Sequence, residues 1–416
     1  MESATSRIYF CEGVYEGSIT HPRALSYFGG LDCGTWAYIG KRATIRSAPG
    51  SIALHIANAK DVAVADLDFE APSASGKGAS SIAGFIANST VSLTRTSFTA
   101  GAGRDGESGP AEGGTFNPAV APNGKGAQFR RFPQPIYQAN DLCPESIGGG
   151  GASEGRGQAG SPVMPTPHPD TSTDGAGGAD YGVDRCNPAA HTGSNGSGGA
   201  PGQPATRYGV LDANGWHADP GGAGGKGGVA QGGGGAGGSN LGTAVGFWWG
   251  ASGGAGGCGG VGGSGGLSGG SSLALIAFGA HVTIRDSRFS ADTAGIGGTG
   301  GGGQMGQTGG AGGIGSDEHA CPGGRGGAGG SGGGGAGGAG GLSVGILFTS
   351  SALTIDGRPA RTAASYDGIT IAAVGVSGGM GGPGGAPVPG VTDELTRGTP
   401  GTPGKSGVIS ALFELP

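Results

Sequence analysis

The segment GGAGGKGGVAQGGGGAGG (residues 221–238) poses the main structural question, because most of its residues lack a side chain. Residues 253–266 (GGAGGCGGVGGSGG) and 323–341 (GGRGGAGGSGGGGAGGAGG) repeat the pattern of two glycines and one other residue. A period of three matches the polyproline-II helix, which has about 3 residues per turn, a rise of about 3.1 Å and no internal hydrogen bonds. Its peptide groups point outward, so neighbouring glycine helices can bond one another. The pattern predicts a bundle of glycine helices (polyglycine II), with a flexible coil as the alternative.

Composition narrows the class of protein. Glycine supplies 106 and proline 25 of the 416 residues, whereas Asp, Glu, Lys and Arg together supply only 12%. The formal net charge of −6 comes without a basic stripe, which argues against a nucleic-acid partner. The sequence contains no run of 18 apolar residues, so no membrane span is expected. Alanine supplies much of the apolar fraction of 35%. This favours a series of small cores along a repeating structure over one large core.

A second repeat underlies the glycine tracts. Each copy begins with Ser and an aliphatic residue and continues into a short alternation of apolar and polar residues. The four copies are SIALHIANAKDVAVADLDF (51–69), SIAGFIANSTVSLTRTSF (81–98), SLALIAFGAHVTIRDSRF (272–289) and SVGILFTSSALTIDGRPA (343–360). Alternation with β-branched residues predicts strands, and repetition of the same strands predicts a solenoid. We expect an all-β protein, with a right-handed parallel β-helix whose glycine-rich insertions form the polyglycine-II bundle.

The same repeat divides the chain into units. The expected units are N-terminal β-helix coils at 1–99, a long insertion at 100–270, a rung at 271–290, a second insertion at 291–341 and C-terminal coils with a short glycine tract at 342–416. Within the first insertion, 115–220 is rich in Pro, Asn and Ser, and we interpret it as irregular, disulfide-stapled loops. The insertions are expected to leave the coils on one side and lie together as a slab.

Six cysteines occur without the Cys-x-x-Cys spacing that zinc sites use. An even number favours disulfides and an oxidising compartment, with buried free thiols as the alternative. Six cysteines allow 15 connectivities, and we expect pairing in sequence order. The expected pairs are Cys11–Cys33, Cys143–Cys186 and Cys258–Cys321. The chain opens without a signal peptide, so we expect a leader to be missing from it.

The scarce aromatic residues provide the candidate ligand site. Trp216 and His217 precede the 221–238 tract, and Phe247, Trp248 and Trp249 follow it, so the two groups could meet at its end. Exposed tryptophan could stack on sugar rings or anchor a protein partner. The competing interpretation is that these rings cap the glycine slab and are buried. No histidine has metal-ligand spacing, and we expect neither a metal nor a cofactor.

Carboxylates are the candidates for catalysis. Asp66, Asp68 and Glu70 share one face of a predicted strand, and alignment on the repeat places Asp66, Arg95 and Asp286 at equivalent positions. A polysaccharide lyase or hydrolase needs such clustered carboxylates. The favoured interpretation is an Asp–Arg–Asp ladder on the surface, worth about 0–1 kcal/mol per pair.

Two resemblances bear on function. CEGVYEGSITHPRALSYFGGLDCGTW (11–36) resembles the opening coils of secreted right-handed β-helix proteins of the pectate-lyase-like superfamily. The alternation of SIALHIANAKDVAV-type rungs with GGxGGxGG tracts resembles glycine-rich, PGRS-like surface proteins of myxobacteria, and the tracts resemble the glycine-helix sandwich of phage tail-fibre adhesins. These resemblances imply an extracellular or cell-surface protein.

The sequence thus favours a non-catalytic structural or adhesive surface protein. Its expected partner is a cell-surface glycan or protein, or a second copy stacked end to end into fibres through open strand edges. Two alternatives stay open, a polysaccharide-active β-helix enzyme and a phage-type receptor-binding adhesin.

Overall fold

Strands in three mostly parallel sheets form the main body of the protein. A computed structural model describes residues 6–21, 25–111, 114, 116–130, 137–162, 174–178, 186, 189–239, 246–316, 319–360, 368–371, 378–380, 383–392 and 394–415. Over these residues the fold is all-β, with one short 3-10 helix at Glu394–Thr396 and no α-helix.

Each sheet collects strands from the whole length of the chain. The first sheet contains β1 (Ser6–Cys11), β4 (Leu25–Leu31), β7 (Val62–Ala65), β10 (Thr90–Thr94), β19 (His281–Arg285), β22 (Ala352–Ile355) and the antiparallel β23 (Arg358–Pro359). The second contains β2 (Gly13–Glu16), β5 (Ala43–Arg46), β8 (Leu67–Ala71), β11 (Ser97–Ala100), β20 (Arg288–Ala291) and β24 (Ile369–Ile371). The third contains β3 (Ile19–His21), β6 (Leu54–Ala57), β9 (Ser81–Ala87), β18 (Ser272–Phe278), β21 (Leu342–Thr349) and β25 (Val408–Glu414).

Three small antiparallel pairs lie outside these sheets. They are β12 (Gln128–Arg130) with β17 (Phe247–Trp249), β13 (Gln138–Ala139) with β14 (Ile147–Gly148), and β15 (Gly209–Asp212) with β16 (Gly215–Ala218).

The pairing register matches the alignment of the sequence repeat. Val91 pairs with Val62 and Val282, and Phe98 pairs with Phe69 and Phe289. The first copy of the repeat also has one more residue before Val62 than the second copy has before Val91. Paired residues are accordingly 30 positions apart between β6 and β9 but 29 apart between β7 and β10. Along the chain the strands visit the third, first and second sheets in that order, as in β6–β7–β8 and β9–β10–β11.

The core lies between the inward faces of the three sheets. Phe69, Phe98 and Phe289 stack there with ring centroids 4.9 and 5.4 Å apart. Full burial of one such side chain stabilises the fold by about 1.5–3 kcal/mol, and an aromatic contact adds about 0.5–1.5 kcal/mol. No rung buries its apolar face alone, so the ladders of identical positions form one continuous core.

The third sheet is apolar on its outer face as well. Phe85, Leu273, Leu347 and neighbouring side chains form a second buried cluster there. The hairpin β15–β16 covers this cluster, with Leu211 among its buried residues and Trp216 packed against it. Strands buried on both faces explain why β18 and β21 lack the alternation of a half-exposed strand.

The two long glycine-rich insertions connect the same pair of sheets. The first begins after β11 and returns at β18, and the second begins after β20 and returns at β21. Each of these two insertions therefore connects the second sheet to the third, which agrees with a shared position for both.

Hydrogen bonds join the glycine segments, which we call rods, at intervals of three residues. Rod 221–238 runs antiparallel to rod 251–270, with bonds such as Gly224 N–H to Gly263 O and Gly227 N–H to Gly260 O, both 2.8 Å. Rod 251–270 runs parallel to the central rod (323–341), with the Gly257 amide donating to Gly327 O at 2.9 Å.

Consecutive residues of the central rod donate in three different directions. The amides of Gly329, Gly330 and Ser331 bond the carbonyls of Gln307, Gly228 and Thr396, which lie in three separate segments. Its carbonyls accept from two further segments, from Gly257 at Gly327 and from Gly196 at Ala328. Buried peptide groups need such partners, and here other rods supply them.

The bundle also takes in parts of 115–220, which the sequence analysis assigned to irregular loops. Residues 193–202 donate to the central rod at every third amide, as in Gly199 N–H to Ser331 O at 2.7 Å. Residues 121–127 bond 308–314 with the same interval. These segments carry fewer glycines, and their role becomes visible only when their neighbours are in place.

Glycine is required in the rods because backbones touch there. A Cβ added to Gly330 would lie 1.8 Å from the Ser197 carbonyl oxygen and 2.4 Å from its carbon. Real Cβ atoms do not approach backbone this closely, so the rods would have to separate.

We predict that Gly330→Ala destabilises the protein by about 1–3 kcal/mol or more, because overpacking forces backbone shifts. Gly302→Ala is the matched control, since the nearest heavy atom to its added Cβ is Pro383 Cγ at 3.3 Å. We expect that control to stay within about 0.5 kcal/mol of the wild type. Thermal unfolding followed by circular dichroism measures both, and equal midpoints for the two variants would contradict close rod packing.

Candidate functional site

The aromatic residues singled out from the sequence fall into two separate groups. Trp216 lies in hairpin β15–β16, half-buried against the outer face of the third sheet. Its indole Nε1 is buried without a hydrogen-bond partner. His217 is exposed, with Nε2 3.9 Å from Asp212 Oδ1. The ring of Trp216 thus acts as a cover for an apolar surface.

The second group forms the small sheet β12–β17. Trp248 pairs with Phe129, with ring centroids 5.7 Å apart, and stacks on His319 at 5.3 Å. Trp249 is only 7% exposed, and its Nε1 is buried without a partner. Phe247 is half-buried at the end of the same strand.

The structure does not bring these two groups together. The rod 221–238 separates them: Gly221 bonds Gly266 at the end nearest the three sheets, while Trp248 bonds Ser239 at the other end. An extended segment of this length spans about 50 Å at a rise of about 3.1 Å per residue. The expectation that the rings meet at one end of the tract is therefore wrong.

Disulfide pairing also differs from sequence order. Cys11–Cys33 is confirmed, whereas the other bonds are Cys143–Cys258 and Cys186–Cys321. The expected Cys143–Cys186 and Cys258–Cys321 pairs are wrong because the rods run side by side and bring distant parts of the chain together.

A buried polar network surrounds the Cys143–Cys258 bond. Asn140 donates from Nδ2 to Gln307 Oε1 at 2.7 Å, and the Cys258 amide donates to the same oxygen at 3.1 Å. The side-chain amide of Gln307 thus accepts the hydrogen bond from the Cys258 amide that a backbone carbonyl of another rod would otherwise accept.

The repeat-aligned charges form a pair rather than a cluster of free carboxylates. Arg95 donates to both oxygens of Asp66, from Nε at 2.7 Å and from Nη2 at 2.8 Å. These hydrogen bonds raise the pKa of Arg95. Asp66 is only 6% exposed, so its carboxylate is committed to this pair. Asp286 occupies the next turn but bonds Asp356 through its amide.

Asp68 and Glu70, the other two candidate carboxylates, are also paired. Arg42 holds Asp68 at 3.0 Å, and Arg46 holds Glu70 at 2.9 Å. Of the expected Asp66–Arg95–Asp286 ladder, the structure thus shows only the Asp66–Arg95 pair, and Asp66 is buried. A different ladder, Glu16–Arg46–Glu70, runs along the second sheet.

One loop with the chemistry of a site was missed by the sequence analysis. Loop 32–39 holds Trp36 at 56% and Tyr38 at 60% exposure. Asp32 Oδ1 accepts from the amides of Gly34 and Thr35 and from the Thr35 hydroxyl. The hydrogen bond from Thr35 is the main cause that lowers the pKa of Asp32. The signal was present as Asp-x-x-Thr before an aromatic residue, a side-chain-capped turn.

Among the described residues, no group of three or more His, Cys, Asp or Glu side chains is placed to hold a metal ion. None of the helices in that part of the chain is long and apolar enough to cross a membrane. No family model, curated protein or solved structure matches this chain.

We predict that Arg95→Met is more destabilising than Asp66→Asn. Loss of Arg95 leaves a buried carboxylate without its cation, at a cost of about 1–3 kcal/mol. Loss of the charge on Asp66 leaves Arg95, which is 46% exposed, partly solvated, at a cost of about 1 kcal/mol or less.

Urea unfolding of both variants and of the double variant measures this coupling. The double variant should be less destabilised than the sum of the single variants, because the two residues interact directly. Strict additivity would show that the pair contributes nothing.

We also predict that proteolysis of the denatured but unreduced chain yields a peptide pair joined through Cys143 and Cys258. The bond closes a loop of 115 residues, so removing it in Cys143→Ser/Cys258→Ser should cost roughly 4 kcal/mol. Mass spectrometry identifies the linked peptides, and a Cys143–Cys186 peptide pair would contradict this topology.

Proposed function

We propose that this protein is a secreted, non-catalytic scaffold that adheres to surfaces through loops displayed on a rigid body. In this proposal the body is a right-handed parallel β-helix, and the rods form a polyglycine-II bundle along one of its corners. The bundle gives the scaffold its width without a conventional hydrophobic core.

The order of the strands supports the β-helix. Successive strands pass through the third, first and second sheets, and each parallel pair lies one turn of chain apart. Parallel strands joined by such crossovers are right-handed in nearly all proteins.

The hydrogen bonding of the central rod is the main observation that supports a rigid scaffold. Because three consecutive amides bond three different segments, and carbonyls of the same rod accept from two more, the rod is held from all sides. A polypeptide that satisfies its peptide groups in this way leaves a protease no extended segment to bind. A protein built for rigidity and resistance suits an exposed surface.

The disulfides support the location. All six cysteines are paired, and each of the two long-range bonds joins segments more than 100 residues apart. Such bonds persist in oxidising, extracellular environments. The resemblance to PGRS-like surface proteins and to phage tail-fibre adhesins points the same way.

A polysaccharide-active enzyme is the second candidate, favoured by one groove. It has a volume of about 370 Å³, lies beside β8, β11 and β20, and is lined in part by Arg46, Glu70 and Asp292. Glu70 is paired with Arg46 there, so Asp292 would have to supply the unpaired carboxylate.

The test combines protease challenge with a turnover assay on the oxidised full chain. We expect proteinase K to leave the rods 221–238, 251–270 and 323–341 intact, and incubation with acidic and neutral polysaccharides to release no new reducing or unsaturated ends. Rapid cleavage within 323–341 would contradict the rigid bundle, and released ends that disappear in Asp292→Asn would favour the enzyme.

A further inference from the structure

Loop 32–39 presents the one exposed tryptophan among the four in the chain. Trp36 is 56% exposed and Tyr38 60%, whereas Trp249 is 7% exposed and Trp216 and Trp248 are half-buried. The loop lies between β4 and β5 at the N-terminal part of the body. A large ring exposed to this extent has given up most of the stabilisation that burial would provide.

The backbone of Trp36 is strained. Its φ of 56° lies in the left-handed region, where a bulky residue is an outlier. The other nine residues besides glycine with positive φ in the described chain are Asn, Asp, Ser, Arg or Cys. Glycine adopts this conformation freely, so the identity of residue 36 is not explained by the turn. Strain kept at an exposed aromatic residue is characteristic of a functional position.

Two devices hold the loop against this strain. The Cys11–Cys33 disulfide fixes its first half to β1. Asp32 then closes the turn, since Oδ1 accepts from the Thr35 amide and hydroxyl at 2.8 Å each, and the Asp32 carbonyl accepts from the Trp36 amide at 2.9 Å. The indole is therefore displayed from a fixed backbone.

Tyr38 is positioned by separate contacts. Its ring lies over Gly30, where an added Cβ would come within 2.6 Å of Tyr38 Cε2. Its hydroxyl donates to Asp66 Oδ1 at 3.3 Å, and Asp66 is itself held by Arg95. The Asp66–Arg95 pair thus helps to fix the position of the Tyr38 ring.

We propose that Trp36 and Tyr38 form a binding platform for the pyranose rings of a neutral polysaccharide. This inference rests on the proposed adhesive function and gives it a ligand class. The C–H groups on one face of a pyranose carry partial positive charge and pack on the negative face of an aromatic ring. Two rings two residues apart in one loop, one on a fixed backbone and the other held by its own contacts, can contact sugar units of one chain at a reduced cost in conformational entropy.

The polar groups around the rings fit sugar hydroxyls. Asp32 uses only Oδ1 in the hydrogen bonds of the turn, which leaves Oδ2 as an acceptor. Lys41, 70% exposed and paired with Glu12 at 2.9 Å, is close enough to contribute to the lowered pKa of Asp32. Asp32 thus offers a negatively charged acceptor and Lys41 a positively charged donor. This mixture suits the hydroxyl groups of a neutral sugar better than it suits an anionic sugar.

A protein partner is disfavoured by the same surroundings. Protein hot spots lie at the centre of large desolvated patches. Charged residues instead border this loop: Asp32 lies within it, and Lys41, paired with Glu12, and Arg42, paired with Asp68, follow it directly in the chain. A narrow ligand that leaves these groups hydrated fits the platform better than a flat protein surface.

The test measures binding of the full, oxidised chain to cellohexaose, laminarihexaose, xylohexaose, mannohexaose and chitohexaose by calorimetry. We expect at least one to bind with micromolar to millimolar affinity. Trp36→Gly should weaken that binding at least tenfold while leaving Tm unchanged or raised, because glycine relieves the strain at φ 56°. A merely structural tryptophan would instead lower Tm when removed.

Two controls make the outcome specific. Asp61→Gly changes an exposed residue with the same φ of 56° outside the platform and should leave binding unchanged. Trp248→Ala removes one of the candidate aromatic residues from the sequence and should also leave binding unchanged.

Four results would overturn the platform. They are no binding of any hexasaccharide by the wild type, undiminished binding by Trp36→Gly, loss of binding in Trp248→Ala, and wild-type self-association in sedimentation that Trp36→Gly abolishes, which would make the loop a contact between copies. None of them alters the protease resistance or the absence of turnover by which the scaffold itself is judged.

Discussion

The whole structure depends on peptide groups of neighbouring glycine rods approaching closely enough to bond each other. In an ordinary domain a hydrophobic core holds elements together and side chains set their spacing. In the central rod the spacing is set by backbone contact, since a Cβ at Gly330 would fall 1.8 Å from a neighbouring carbonyl oxygen. Because the rod has three residues per turn, successive amides point toward different neighbours. The amides of Gly329, Gly330 and Ser331 accordingly bond three different segments. The side chains that remain between the glycines of this rod are mostly small and buried, as Ala328 and Ser331 are, whereas Arg325 is exposed at the surface.

The sheets and the rods are one construction, because the strand ladders set the register of the glycine segments. Ser272 of β18 pairs with Ser343 of β21, an offset of 71 residues. The rods that lead into these strands bond with nearly the same offset, as in Gly269 N–H to Ala339 O, 70 residues apart. Rod 251–270 and the central rod therefore run parallel because the strands that follow them pair in parallel. This explains why a protein with so little side-chain information in its glycine tracts can still place each tract beside a particular neighbour.

These relations show which features could be read from the sequence. The strand register was accessible because Val62, Val91 and Val282 repeat within one recognisable pattern. The triplet period identified the glycine-rich rods but not the segments 121–127 and 193–202 that bond them. The disulfides beyond Cys11–Cys33 were not accessible, since Cys143 meets Cys258 only after the rods have been laid side by side. The same holds for Trp216, whose ring covers an outer sheet face that no local pattern reveals. Trp36 was not predicted as a site residue because Asp-x-x-Thr marks many ordinary turns, and the positive φ that sets Trp36 apart is visible only in the structure.

The placement of the two long-range disulfides follows from a weakness of triplet repeats. If one rod slides by three residues along another, almost every backbone hydrogen bond is formed again, so hydrogen bonding alone leaves several registers nearly equal in free energy. Strands β18 and β21 remove this ambiguity at the ends of the rods nearest the sheets. At positions away from those strands the register needs other fixed points, and there the chain places Cys258 in rod 251–270 and Cys321 just before the central rod. A side chain that fits one position only, such as Gln307 between Asn140 and Cys258, adds the same kind of constraint. The disulfides thus act first as locks on register, and the restriction of the unfolded chain is a second, separate contribution.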